Sequence, residues 1–421
     1  MPAWAAKVER VVSPGGIEAW LVQDHLNPII TVNFSFRGGS ALDPAGKEGL
    51  ASMAASLLDE GAGELDSKAL RQVLEDLSIT LRFDEGRDNF GGRLKTLTEY
   101  RDKAFGLLAD ALTKPRFDAE PVERLRAQIL AKLRHDAENP DAIAGKALMA
   151  ELFPGHPYGK PSDGTKESVA RIMQADLKKF VADRLARDTV AIGVVGDIKP
   201  EELAPLLDKT FGRLPMKAAP WKVPSIAPKA HGQTVVVDKT IDQSNILFAE
   251  KGLARKDKDF YTAYVMNHIL GGGGFTSRLY TEVREKRGLA YSVYSYLNPM
   301  DWSAIYIGGA GTANARVKET LDVVRDEWRK MAETGVTQQE LDDAKSYLTG
   351  SFPLRFTSLD RIASMLVGMQ LDDLGMDFLE RRNEYIEQVT IEGIRRVARN
   401  LLDSKNLVFV VVGKPEGLKA K

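Results

Sequence analysis

Few side chains in this sequence can hold a metal ion or relay a proton. Cysteine is absent, and histidine occurs five times, as His25, His135, His156, His231 and His268. No two of these histidines lie within a few positions of each other, so no i, i+4 pair can present two imidazoles on one helix face. Without cysteine there are no disulfides, thiolate zinc sites, iron–sulfur clusters or thiol nucleophiles. Two glycine-containing stretches invite a ligand reading. The first, Gly155-His156-Pro157-Tyr158-Gly159-Lys160-Pro161-Ser162, is one residue short of the phosphate-loop spacing and follows no strand. It also puts Pro161 where a helix N-terminus should offer free amides, so it is not read as a nucleotide site. The second, Gly271-Gly272-Gly273-Gly274, follows a helical stretch rather than a strand and is not a dinucleotide fingerprint. Four glycines suit a helix C-cap with a turn, and equally a loop that lets another backbone approach closely. Just beyond them, Arg284 and Tyr291 bracket a charged helix end, Arg284-Glu285-Lys286-Arg287-Gly288. On pattern alone such an end needs no function, because cations at a helix C-terminus are favoured by the macrodipole.

The elements that must position these residues follow from apolar periodicity. The first half is predicted to contain strands Glu18–Leu21 and Ile29–Phe36, then an apolar helix from Gly49 and a hairpin-like pair, Ile79–Asp84 and Asn89–Thr96. Helices Tyr100–Leu112 and Glu120–Arg134 come next, followed by a helix near Ala175–Ala186 and the strand Thr189–Val195, closed by Gly196. The second half repeats the order, with strands Gln233–Asp238 and Ser244–Glu250 and a helix ending at Leu270. Strands Ser292–Leu297 and Ala304–Ile307 precede helices Ala315–Ala332, Gln338–Leu348 and Ile391–Leu401, and strand Leu407–Val412 is closed by Gly413. A repeat of roughly 215 residues is a duplicated domain, far longer than a solenoid period. Pro215, Pro220, Pro224 and Pro228 make the stretch between the halves a stiff, extended connector. The predicted organisation is a domain over 1–214, a proline-rich linker over 215–232 and a domain over 233–421. The predicted class is α+β, each domain a mainly antiparallel sheet with helices packed on one face, the two forming half of a clamshell.

Composition narrows the function classes. Against 58 Lys+Arg stand 59 Asp+Glu, so there is no basic field to drive nucleic-acid binding. No run of apolar residues is long enough to span a bilayer, and no membrane span is predicted. Ala3-Trp4-Ala5 has the small-x-small form that precedes a signal-peptidase cut. That pattern by itself favours neither compartment. The expected location is periplasmic, with a cytoplasmic start as the alternative, and the choice rests on the family resemblance that the following runs carry.

Several runs, in order, resemble the pitrilysin/insulinase family of peptidases with an inverted zinc motif. In the first half these are Phe36-Arg37-Gly38-Gly39-Ser40, Gly46-Lys47-Glu48-Gly49-Leu50-Ala51, His156-Pro157-Tyr158-Gly159 and Asp163-Gly164-Thr165-Lys166-Glu167-Ser168-Val169. In the second they are Asn267-His268-Ile269-Leu270 with the four glycines, Phe275-Thr276-Ser277-Arg278-Leu279-Tyr280, and Val283-Arg284-Glu285-Lys286-Arg287-Gly288-Leu289-Ala290-Tyr291. The glycine-rich region is similar to that of the mitochondrial processing peptidase α-subunit. The resemblance covers essentially the whole chain.

Active members of that family carry H-x-x-E-H on a helix just after the Gly-Leu-Ala run, with zinc held by two imidazoles and a distal Glu. Carried onto this sequence, Ser52 and Ser56 stand where the histidines are due, Ala55 where the general base is due, and Lys132 where the distal ligand is due. None of the four supplies what zinc hydrolysis needs, and an ammonium at Lys132 repels a cation. The resemblance also implies a retained element. Arg284 and Tyr291 match a pair that reaches into the catalytic chamber and holds substrate, beside the loop Gly271, Gly272, Gly273, Gly274. A guanidinium can grip peptide carbonyls, and a phenol can donate to a carbonyl oxygen as charge develops.

Loss of ligands with retention of the pair implies divided labour. The expected function is the non-catalytic, substrate-binding subunit of a heterodimeric zinc metalloendopeptidase. No cofactor is expected in this chain, and zinc is expected on a homologous partner bearing H-x-x-E-H. The peptide substrate would add as a strand to a sheet edge. The alternative is a purely structural subunit resembling the core proteins of respiratory complexes. An independent enzyme fares worst, because no G-x-S-x-G, metal constellation or nucleotide loop survives inspection.

Overall fold

The computed structural model describes residues 7–418, so the Ala3-Trp4-Ala5 pattern lies outside the described residues. The chain forms two compact units, neither of them contiguous in sequence. One comprises Met1–Leu133, Pro161–Lys222 and Phe352–Phe378, and the other Arg134–Lys160, Val223–Ser351 and Leu379–Lys421.

The first unit is built on a six-stranded sheet. Its strands are β1 (Glu9–Val12), β2 (Glu18–Gln23), β3 (Ile29–Arg37), β6 (Thr80–Glu85), β7 (Asn89–Leu97) and β8 (Val190–Gly196); a two-residue pair, β4 (Gly61–Ala62) and β5 (Leu65–Asp66), stands apart. The order is β1-β2-β8-β3-β7-β6, antiparallel except where β2 runs parallel to β8. Alternation in β3 decides its faces. Ile30, Val32, Phe34 and Phe36 enter the core with residues of the helices Leu50–Ala55, Arg101–Thr113, Gln174–Arg184 and Pro200–Phe211. Thr31, Asn33 and Ser35 point the other way, where a single helix, Leu359–Leu371, crosses β8 and β3. Gly193 permits that crossing, since a Cβ there would meet Ala363 O at 2.5 Å and Leu366 Cβ at 2.9 Å. Gln370 clamps the strand by donating to Ile192 O at 2.9 Å and accepting from Ile192 N at 3.3 Å.

The second unit repeats the plan. Strands β9 (Thr234–Asp238), β10 (Gln243–Lys251), β11 (Ala290–Pro299), β12 (Ala304–Ala313) and β13 (Val408–Gly413) pair in the order β11-β12-β10-β13-β9. Again one pair, β13 with β9, is parallel and the rest are antiparallel. Counted outward from the parallel pair, edge strand β6 of the first unit corresponds to edge strand β11 of the second. β13 is buried on every residue and reads as a continuous apolar run, as a strand covered on both faces should. The main helices cover one face. Val317, Leu321, Val324, Trp328 and Met331 of the helix Val317–Thr334 recur at four- and three-residue steps into that core. The helix Pro140–Leu152 covers the other face of β10 and β13, with Pro140 in its first turn and Asn139 accepting from Asp141 N at 2.9 Å.

The predicted strands and helices are present, with ends shifted by a few residues. The helices Ser67–Asp76, Pro140–Leu152, Pro200–Phe211, Leu359–Leu371 and Phe378–Glu387 were not foreseen, and β12 runs six residues past the predicted end at Ile307. That extension contains Gly308, Gly309 and Gly311, and the first two sit under aromatic rings. A Cβ on Gly308 would collide with the Phe248 ring, and one on Gly309 would meet the Tyr294 hydroxyl at 2.8 Å.

One buried acid gives the second unit a pH dependence. Glu250 accepts from Trp328 Nε1 and from Asp403 N (3.0 Å), and burial raises its pKa to about 8 despite both donors. Because the folded state holds this proton far above the ordinary carboxyl pKa, the contribution is complete at low pH and is lost as pH rises toward and through 8. Melting temperature is expected to fall between pH 6 and pH 9 for the native chain and to fall less for Glu250→Gln. Equal slopes for the two proteins would contradict this assignment.

Candidate functional site

The helix Leu50–Ala55 is short, and its start is fixed by backbone geometry. Gly49 adopts φ 94°, and Asp43 caps the turn by accepting from the backbone amides of Gly49, Leu50 and Ala51 at 2.8–3.0 Å. Burial pushes the Asp43 carboxyl up to about 7, against the pull of those three donors. A second glycine, Gly164, has φ 79° and lies so close to Glu48 O that a Cβ would collide with it. Ser168 Oγ donates to Glu48 O at 2.7 Å, which ties the Asp163–Val169 stretch to the helix start. Two of the sequence runs that carry the family resemblance therefore build one small scaffold.

On this scaffold Ala55 is buried, Ser56 is exposed and donates to Ser52 O at 3.0 Å, and the Ser52 hydroxyl lies beside the Glu85 carboxylate at the end of edge strand β6. Glu85 is raised above the ordinary carboxyl range, first by burial and then by the nearby negative charge of Asp163, with the Ser52 hydroxyl opposing. Asp163 in turn pairs with Lys132 Nζ at 2.7 Å. Of the four degenerate positions, Ser52 and Lys132 thus sit in a hydroxyl, carboxylate and ammonium network with Glu85 and Asp163, while Ala55 and Ser56 stand outside it.

This donor set does not fit zinc. It contains no imidazole, the ammonium of Lys132 is a cation rather than a ligand, and Ala55 offers no proton acceptor. Among the described residues no group of three or more His, Cys, Asp or Glu side chains is placed to hold a metal ion. Three of the five histidines are occupied elsewhere. His25 pairs with Asp197 at 2.6 Å, and buried His156 accepts from Tyr158 N at 3.2 Å while its other nitrogen donates to Pro224 O at 3.0 Å. His268 stacks on Tyr347. Dialysis of the isolated chain against EDTA is expected to leave its melting temperature unchanged, with zinc far below one ion per chain by elemental analysis. Stoichiometric, chelator-sensitive zinc would overturn the assignment.

The second unit holds the other candidate residues. A π-helical turn, His268–Gly272, brings Gly271 against β11, where a Cβ would collide with Ser295 Oγ. Gly274 has φ 59° and open space around it. The glycine run therefore does both things its composition allowed, a close approach at its start and a left-handed turn near its end. Arg278 then anchors the chain through a two-bond pair with Glu340 at 2.6 and 2.7 Å. A second π-helical turn, Tyr280–Glu285, carries Arg284. Such turns inside helices recur at functional sites.

The Arg284 guanidinium carbon lies 5.0 Å from the ring centre of Tyr280 and 4.6 Å from that of Tyr291. Tyr280 is buried and packs edge-on against Phe275 at 5.0 Å; Tyr291 is 79% exposed and Phe275 is 74% exposed. Tyr291 falls where the β11–β12 register shifts, between Ala290 and Val293, and such a bulge re-aims side chains. The neighbouring acid, Glu282, is taken by Lys286 and Arg287 at 2.6 Å each. Among the described residues Arg284 has no carboxylate partner. The result is an un-neutralised guanidinium held between two rings beside an exposed phenol, able to bind carbonyl or carboxylate oxygens. The structure thus brings Arg284 and Tyr291 together. Tyr280 and Phe275 were not foreseen as members, although Tyr280 lies four residues before Arg284, a helical spacing that signals contact.

Residues 19–166 match the family described as insulinase (peptidase family M16), and residues 171–348 match the one described as peptidase M16 inactive domain. The non-peptidase homolog YmxG of Helicobacter pylori is 29% identical over 93% of this chain and 90% of its own length. The probable mitochondrial-processing peptidase subunit beta of Schizosaccharomyces pombe is 27% identical over 92% of this chain and 87% of its own. The crystal structure of a peptidase M16 inactive domain from Pseudomonas fluorescens superposes with a TM-score of 0.91 at 30% identity, covering 98% of this chain and 99% of that one.

Proposed function

Because this chain belongs to the insulinase family of peptidases, M16, as a non-catalytic member, we propose that it is the substrate-binding subunit of a two-chain zinc metalloendopeptidase. The zinc and the general base come from a homologous partner with an intact H-x-x-E-H helix. This chain supplies Arg284 and Tyr291 to the peptide. What carries the reading is the contrast between its two candidate sites. Every position due to serve zinc has lost its chemistry, while the guanidinium due to serve substrate is intact, un-neutralised and held in place by rings. A chain serving only as scaffold has no need of an exposed phenol beside such a cation.

In the proposed complex Arg284 grips backbone carbonyls of an extended peptide, and the Tyr291 hydroxyl donates to the carbonyl beside the scissile bond as negative charge develops there. Edge strands β6 and β11 leave backbone donors and acceptors available for strand addition. Purification from the native source is expected to bring along a chain of similar size bearing H-x-x-E-H, and mixing the two should raise peptidase activity above that of either alone. Recovery of this chain without such a partner, or with no gain in activity on mixing, would remove the reading.

A further inference from the structure

The helix Leu359–Leu371 and the turn before it wall a cleft of about 730 Å³ in the first unit, and none of its lining residues belongs to either candidate site described above. Three arginines line it, Arg93, Arg355 and Arg361, around an apolar surface that includes Met365, Met369 and Phe378. Two acids line it as well. Asp360 is already claimed by Arg93 at 3.6 Å and Lys95 at 3.3 Å, and Asp372 stands on the wall. Arg355 and Arg361 are exposed and have no acidic partner among the described residues. The Nε of Arg93 is buried without an acceptor. A cleft of this size accommodates a short peptide end or a drug-sized molecule, and two unpaired guanidiniums at an apolar surface select an anion carried on an apolar body.

We infer that this cleft captures the C-terminal end of a peptide whose last residue is apolar. The terminal carboxylate pairs with Arg355 and Arg361, and the last side chain lies on Met365 and Leu374, over the buried Met369 and Phe378. Methionines accept side chains of differing shape, because their thioethers are flexible and polarizable. The Ser364 hydroxyl on the wall accepts from Asn33 Nδ2 and so keeps its proton for a backbone carbonyl, which a peptide end possesses and a fatty acid lacks. A bare phosphate would leave the apolar surface unused.

The test uses the full chain and two forms of one probe, N-acetyl-Gly-Ala-Leu-Phe as the free acid and as the C-terminal amide, measured by calorimetry at low salt. The acid is expected to bind at least roughly 10-fold more tightly than the amide, and Arg355→Ala and Arg361→Ala are each expected to weaken the acid by roughly 10-fold. Both arginines are exposed, so melting temperatures should stay at the native value and report that the variants fold. Equal binding of acid and amide, no binding of either, or native affinity in both arginine variants would overturn the inference. So would dodecanoate binding where the acid peptide does not, since that outcome assigns the cleft to a fatty acid. This assay needs no catalytic partner, so its failure leaves the two-chain peptidase reading standing, and the reverse holds equally.

Discussion

Replacing Arg284 by alanine is expected to lower kcat/KM of the two-chain peptidase by roughly 10- to 100-fold, the range set by loss of a charge-assisted hydrogen bond to substrate. The side chain is half-buried between Tyr280 and Tyr291 and has no carboxylate partner among the described residues, so its removal breaks no ion pair. The melting temperature of the isolated chain should therefore change little. Arg284→Lys should recover only part of the loss, because an ammonium offers no planar fork of donors. Tyr291→Phe keeps the ring over the guanidinium and deletes only the hydroxyl. Its expected loss is about 10-fold and falls in kcat rather than KM if the phenol acts on developing charge. Steady-state kinetics on the complex reconstituted with the H-x-x-E-H chain decide the matter. Unchanged activity in both Arg284→Ala and Tyr291→Phe would sink the substrate-binding role.

The largest effect on stability is expected at Trp328. Its ring is fully buried, meets Phe248 edge-on at 5.5 Å and Tyr306 at 4.9 Å, and its indole N–H donates to Glu250. Deleting a buried indole costs about 3–5 kcal/mol. Stripping a buried carboxyl of one of its two donors adds about 1–3 kcal/mol. Trp328→Ala is thus expected to lower the melting temperature of the second unit by about 10 °C or more, read by calorimetry. Trp328→Phe retains most of the ring contact and loses the donor, and should fall between the native chain and alanine. A drop of only a degree or two for alanine would mean the cavity collapses and Glu250 finds another partner. Tyr306 lies on β12, which pairs with β11, so this core backs the strand that carries Tyr291.

Much of the fold was legible because its signals are local. β3 alternates Ile30, Val32, Phe34 and Phe36 toward one face, and β13 is an unbroken apolar run. The helix Val317–Thr334 repeats its apolar residues at three- and four-residue steps. Where the reading ran short, the information was not local. Nothing in the helix Leu359–Leu371 announces that it crosses β8 at Gly193, more than 160 positions earlier. The helix Pro140–Leu152 likewise belongs with strands β10 and β13 from the other half of the sequence. The end of β12 was set short at Ile307, because the rings that occupy the space at Gly308 and Gly309 come from β10 and β11.

The candidate sites divide along the same line. From the sequence alone it follows that Ser52, Ala55, Ser56 and Lys132 cannot constitute a zinc centre. Ligand capacity is a property of residue type, and no packing turns a hydroxyl or a methyl into an imidazole. The duplication and the seven-residue interval from Arg284 to Tyr291 are also there to be read. Only the tertiary structure decided that Tyr280 and Tyr291 flank the guanidinium and that Glu282 is spent on Lys286 and Arg287 instead of on Arg284. It alone placed Ser52, Glu85, Asp163 and Lys132 in one network. Charge state and availability depend on which groups come within a few ångströms of each other, and a linear order of residues does not contain those distances.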